Sequence, residues 1–154
     1  MILERKLNAL TRIAHLLNNS NVTWAVGASV LLYFKGIVDN FHDIDIVIAE
    51  DDIDTVIELL SSCGTLQPSN PNVRYKTRAF LEYVIDGVDV DVMAGLVILG
   101  GEDEHYFPLM QDSIADYIQL NDSTVPLQSL EEWKQYYSLM GRTEKVKLIE
   151  QALG

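Results

Sequence analysis

One cysteine, Cys63, stands in 154 residues, so the chain can form no internal disulfide; the residue reads most simply as a buried or idle thiol. Basic residues are scarce too. Eleven Lys and Arg face 23 Asp and Glu, a formal net charge of −12. That balance argues against a long nucleic-acid footprint, which needs a basic stripe. It leaves room for a small anionic ligand held by a few local cations. Long apolar runs are missing as well. The most apolar stretch, "VTWAVGASVLLYF", falls short of the about 20 residues that span a bilayer. The opening "MILERKLNAL" carries charges where a signal peptide needs an apolar run. The expectation is a cytoplasmic protein with no membrane partner. His15, His42 and His105 show no ligand spacing, and there is no P-loop, no GxGxxG and no Ser-His-Asp order. No internal repeat or low-complexity tract divides the chain. Its length predicts one domain over 1–154.

What is present is an alternation of helical and strand patterns. Leu3, Leu7, Leu10, Ile13, Leu16 and Leu17 recur at three- and four-residue steps and predict a helix over 3–18. "VTWAV" (22–26) reads as a strand, and "GASVLLYFKG" as a turn into a helix closed by Gly36. "DIDIVIA" (43–49) is the next strand. "EDDIDTVIELLSSCG" follows as a helix, with acids in its first turn and Gly64 just past its end. "QPSNPN" (67–72) is a loop by composition. Short strands are expected around "HYFPL", "IADYIQL" and "TVPLQS". Ser129 with Glu132 three residues on forms a capping box before "LEEWKQYYSLM", and "RTEKVKLIEQAL" is a final helix. The C-terminal helices thus occupy about 129–153. Helices alternating with strands that include hairpins predict an α+β fold, a mixed sheet with helices packed on it.

Acidic residues interrupt two of these strands. In "HDIDIVI" (42–48), Asp43 and Asp45 are spaced two apart, which puts both carboxylates on one face, about 6–7 Å apart along the strand. Aspartate is depleted in strands. Like charges this close suggest a cation between them, and hard divalent ions such as Mg²⁺ take carboxylate oxygens and substrate phosphates as ligands. A solvated strand edge is the alternative. Asp89 and Asp91 repeat the spacing in "VDVDVM". The Asp86-Gly87 pair before them is a two-residue hairpin signal. It predicts Ile85 opposite Val88 and Glu82 opposite Asp91, with Leu81, Tyr83, Ile85, Val88, Val90 and Val92 on one apolar face. The other face carries Arg74, Lys76, Arg78 and Glu82 beside Asp89 and Asp91. This basic stripe either neutralises phosphates near a metal or protects a strand edge by charge. In "VGASV", Gly27 permits close backbone approach, and Ser29 either caps the helix or donates to a phosphate oxygen. Trp24, Tyr33, Phe34, Trp133, Tyr136 and Tyr137 read as core rather than as a stacking platform.

A Gly-Ser turn entering a helix, then Asp-X-Asp on a strand, then a later acid on a neighbouring strand resembles the DNA-polymerase-β-like nucleotidyltransferase superfamily. The closer likeness is to its small, antibiotic-modifying members, over about residues 20–95. The resemblance implies Mg²⁺-dependent transfer of a nucleoside monophosphate from an NTP to a hydroxyl of a small molecule or protein. It implies Asp43 and Asp45 as a metal pair, Asp91 as the third acid with Asp89 as the alternative, and Gly27 and Ser29 at phosphate. Arg142 in "LMGRTEKV" resembles a basic residue that opens the last helix in small members. Three departures stand out. "VDNFH" before the acidic pair holds no cation, so the 74/76/78 stripe or Lys35 would have to supply charge. The turn is Gly-Ala-Ser. Tyr136 and Tyr137 stand where relatives often carry a helix lysine. A catalytically inactive nucleotide- or partner-binding module of the same fold is the rival expectation.

Overall fold

The computed structural model describes residues 2–68, 77–114 and 116–154. Arg74 and Lys76 therefore lie outside the described residues. The chain opens with helix α1 (Ile2–Asn18), whose Leu10, Ile13 and Leu17 are fully buried. Strand β1 (Trp24–Val26), helix α2 (Ala28–Phe34) and strand β2 (Ile44–Ile48) follow. A 3₁₀ turn over 50–52 leads into α3 (Ile53–Ser61). Strands β3 (Gly64–Leu66), β4 (Ala79–Ile85) and β5 (Val88–Ala94) come next, then β6 (Leu96–Gly100) and β7 (Asp103–Phe107). Strands β8 (Asp116–Leu120) and β9 (Ser123–Leu127) precede α4 (Leu130–Met140) and α5 (Thr143–Leu153). Among the described residues, no helix is long and apolar enough to cross a membrane.

The main sheet has the order β3-β4-β5-β2-β1-β9-β8, and β6 and β7 form a separate hairpin. It is mixed: β2 runs parallel to β5 and antiparallel to β1, while β1 meets β9 in parallel. The α+β expectation holds. The Asp86-Gly87 hairpin also has the expected register, with Ile85 opposite Val88 and Glu82 opposite Asp91. Both turn residues have positive φ, 53° and 77°, the backbone of a type I′ turn.

One face of the sheet collects the apolar positions. Ile44, Ile46 and Ile48 of β2 lie beside Val90, Val92 and Ala94 of β5, and all six are buried. Tyr83 shares this face, and its hydroxyl lies 3.2 Å from Ser61 Oγ, so α3 covers it. The opposite face carries Asp45 beside Asp91 and Val47 beside Met93. The period-two alternation of β2 and β5 thus makes one side wholly apolar and puts the carboxylates, with Val47 and Met93 beyond them, on the other.

Two short strands escaped the sequence reading. Gly64 does not merely follow α3; it opens β3, pairing with Ile85. A Cβ there would stand 2.4 Å from Ile85 Cγ1, so close strand approach accounts for the glycine. Strand β6 follows β5 after a single residue, Gly95, whose φ of 63° turns the chain out of the main sheet. The described residues Thr77 and Arg78 precede β4, which begins at Ala79.

Candidate active site

The carboxylate face forms the floor of a cleft of about 410 Å³, roofed by α4 and the start of α5. Asp43, Asp45 and Asp91 line it, together with Ala28, Ser29 and Arg142. Each arrives by a local device. Asp43 sits at the end of a loop pinned by Phe41, which is buried edge-on against Tyr33 at 5.3 Å between ring centres. Lys6 of α1 donates to the Phe41 carbonyl and so closes the loop from outside the cleft. Asp45 and Asp91 are direct neighbours across the parallel β2–β5 pair. The Gly27 amide donates to the Asp45 carbonyl at 3.1 Å, tying the start of α2 to the same point.

The electrostatics of this floor are unbalanced. Among the described residues, no cation or hydrogen-bond donor reaches the carboxylates of Asp43, Asp45 or Asp91. Burial, then the charges of Asp91 and Asp43, hold the Asp45 carboxyl well above the ordinary carboxylate range. Burial first, then Asp43, Glu82 and Asp89, push Asp91 up to about 6. These carboxylates lack a positive charge that a divalent ion would supply, and their hard oxygens are the donors Mg²⁺ takes. Among the described residues, no group of three or more His, Cys, Asp or Glu side chains is gathered closely enough to hold a metal ion by itself. An ion here would complete its coordination with water and phosphate, as Mg²⁺ commonly does.

The remaining candidates are placed unevenly. Asp89 is exposed and lies outside the cleft lining, but its charge acts on Asp91. Ser29 lines the cleft, at the start of a helix only seven residues long. Gly27 has extended backbone, and its lack of a side chain serves packing. A Cβ would stand 2.5 Å from both Gln128 Oε1 and Trp133 Nε1. Those two atoms share a hydrogen bond of 2.8 Å, which seats the first turn of α4 against the start of α2. Ala28, beside it, adopts a φ of 52°, which β-carbon sterics disfavour. Arg78 stands outside the cleft lining; its Nε is 3.9 Å from Glu50 and its guanidinium lies over Tyr106. Lys35 also lies elsewhere, paired with Asp116.

The structure adds residues that the sequence reading passed over. Lys145 lines the cleft one turn beyond Arg142 and makes no side-chain hydrogen bond or ion pair among the described residues, though its charge acts on Glu144. Its signal was available: Arg142 and Lys145 are three apart, so they share a helix face. Trp133 and Tyr137 are core residues, 2% and 5% exposed, as expected, yet both border the cleft. Burial, then the charge of Asp45, pushes the Tyr137 hydroxyl up to about 12. A buried aromatic run gave no warning that one ring would border the acids.

A mixed sheet with an Asp-X-Asp strand beside a third acid, closed by C-terminal helices, is the nucleotidyltransferase fold. The family model described as aminoglycoside-2''-adenylyltransferase matches residues 9–152, and the chain belongs to this family of nucleotidyltransferase enzymes. A Thermotoga maritima protein (TM1012), provisionally called a nucleotidyltransferase, is 25% identical, with a TM-score of 0.75 over 99% of this chain and 95% of its own. ANT(2'')-Ia, solved with adenylyl-2''-tobramycin, shares the fold at 13% identity and a TM-score of 0.66, covering 96% of this chain and 89% of its own. The lincosamide antibiotic adenylyltransferase LnuA, solved with lincomycin, does so at 15% and 0.62, covering 94% and 96%. No curated protein matches the chain.

Proposed function

We propose that the cleft transfers a nucleoside monophosphate from an NTP to a hydroxyl of an amine-bearing small molecule of the antibiotic type. The observation that carries this reading is the direct pairing of Asp45 with Asp91 in a cleft that also holds Asp43, Arg142 and Lys145. Asp43, Asp45 and Asp91 are the residues that would hold Mg²⁺. When bound, the metal neutralises phosphate charge and lowers the pKa of an attacking hydroxyl.

The chain's own groups supply the rest. Arg142 and Lys145 face the acids from the roof and would contact the triphosphate, the guanidinium as a fork and the ammonium as a point charge. Ser29 offers a hydroxyl donor at the floor. A carboxylate beside the acceptor hydroxyl can take its proton. Nucleotidyl transfer needs positioning and charge neutralisation more than covalent chemistry, and these residues supply both. Glu82 and Asp89 extend the negative field past Asp91. That field favours acceptors with protonated amines, in keeping with the tobramycin adduct and lincomycin named for the relatives.

The test uses NTPs labelled at the α-phosphate, Mg²⁺, and a panel of aminoglycosides and lincosamides. The expected result is label transferred to at least one acceptor by the wild type, and none by Asp45→Asn. Equal labelling by both proteins would sink the assignment.

A further inference from the structure

Arg142 is half-exposed, and a long arginine in that setting ordinarily samples many rotamers. Here several contacts converge on it. Gly141 ends α4 in the left-handed region, φ 78°, which a residue with a Cβ rarely adopts. Past it, the Arg142 amide donates back to the Tyr137 carbonyl at 2.8 Å, and the Gly141 amide to Ser138 at 3.1 Å. This nested cap sets the Arg142 backbone above the last turn of α4. The Tyr137 ring then lies beneath the guanidinium, 5.9 Å from Cζ to the ring centre, within reach of a cation–π contact. Arg142 Nε donates to Glu144 Oε1 at 2.9 Å. Neither terminal guanidinium nitrogen has a hydrogen-bond partner among the described residues. The ring cannot drift, because it packs on Trp133 at 5.2 Å, and Trp133 is fixed through Gln128.

We propose that Tyr137 is a positioning residue for nucleotide binding: its ring and carbonyl hold Arg142 so that the two terminal guanidinium nitrogens face the phosphates. This rests on the reading of Arg142 as a phosphate contact. An arginine already held on a ring loses less freedom when a phosphate fixes it, and that saving appears as affinity. Tyr137 therefore acts through Arg142, on nucleotide affinity.

Isothermal titration with the Mg²⁺ complex of a non-hydrolysable ATP analogue tests this. Arg142→Ala should weaken binding about tenfold. Tyr137→Leu should weaken it about fivefold, while Tyr137→Phe, which keeps the ring, should restore affinity to within about twofold of wild type. In the Arg142→Ala background, Tyr137→Leu should add nothing. If the two losses multiply, or if Tyr137→Leu binds as wild type does, the positioning role is overturned while the phosphate contact stands. If Arg142→Ala binds normally, the phosphate contact itself is wrong, and this proposal goes with it. A second measurement needs no variant to fold. In the NMR spectrum of the wild type, the ring current of Tyr137 should shift the Arg142 side-chain resonances away from free-arginine positions. Unshifted resonances overturn the proposal on their own.

Discussion

Asp45 and Asp91 are paired side by side on the parallel strands β2 and β5, with no cation against either carboxylate among the described residues. Neighbouring strands lie about 4.8 Å apart, so two acids are held close by backbone hydrogen bonds that cannot relax. Repulsion of this kind persists only where the rest of the fold outweighs it, and it marks a site organised for something positive.

The first prediction concerns pH. Asp91 is raised from 3.8 to about 6 in the folded protein. Between those values the folded state binds more protons than the unfolded state. The contribution of this group to stability is therefore full below about 4 and is lost as pH rises through about 6. Asp91→Asn removes the group. The metal-free variant should gain about 1–2 kcal/mol over wild type above pH 7, and the gain should vanish near pH 4. Urea unfolding of both proteins across this range measures it.

Asp45→Asn should likewise gain stability, and it should lose function. With its burial and two acidic neighbours, the neutral amide suits the apo fold better than the carboxylate. The melting temperature without metal should rise. Stabilisation by Mg²⁺ with NTP is expected in the wild type and should disappear in the variant. A variant that is less stable than wild type without metal, yet still stabilised by Mg²⁺ with NTP, would contradict both statements.

Lys145→Ala should raise the KM for NTP about tenfold with a smaller change in kcat, because the ammonium meets charge already present in the ground state. The wild-type KM should climb with ionic strength more steeply than that of the variant. Kinetics at two salt concentrations decide this.

Gly27→Ala places a methyl 2.5 Å from the buried Gln128 and Trp133 atoms. The expected loss is about 1–3 kcal/mol, with α4 displaced from the floor of the cleft. Thermal unfolding should show the loss, and near-ultraviolet circular dichroism should show a changed Trp133 environment.

Ala28→Gly should act in the other direction. The alanine holds a φ of 52°, a conformation that costs a residue with a Cβ about 1 kcal/mol. Glycine removes that strain but gains freedom in the unfolded chain, so a small rise in melting temperature is expected. A large fall would show that the alanine methyl packs more than it strains.

Much of this protein is written in short-range pattern. Period-two alternation put Asp89 with Asp91 on one face, whereas Asp43, expected to open the strand, lies one residue before β2 and reaches the cleft of Asp45 from a loop. The Asp86-Gly87 dipeptide carries the register that sets Glu82 opposite Asp91. Ser129 and Glu132 mark the start of α4, and the capping box is present as spelled. These features depend on neighbours a few residues apart, so sequence alone determines them. The pairing of Asp45 with Asp91 joins strands separated by α3, β3 and β4. No local pattern selects it over other pairings, because a parallel partner is chosen by burial of the whole sheet face. The same holds for Tyr137 and Lys145. A helical period places them on their helices, but only the docking of α4 and α5, through Trp133 on Gln128 and Gly27, turns them toward the acids. The cations that share the cleft with Asp43 are Arg142 and Lys145, about a hundred positions along the chain, because a charge's neighbours are set by distance through the fold and not along the sequence.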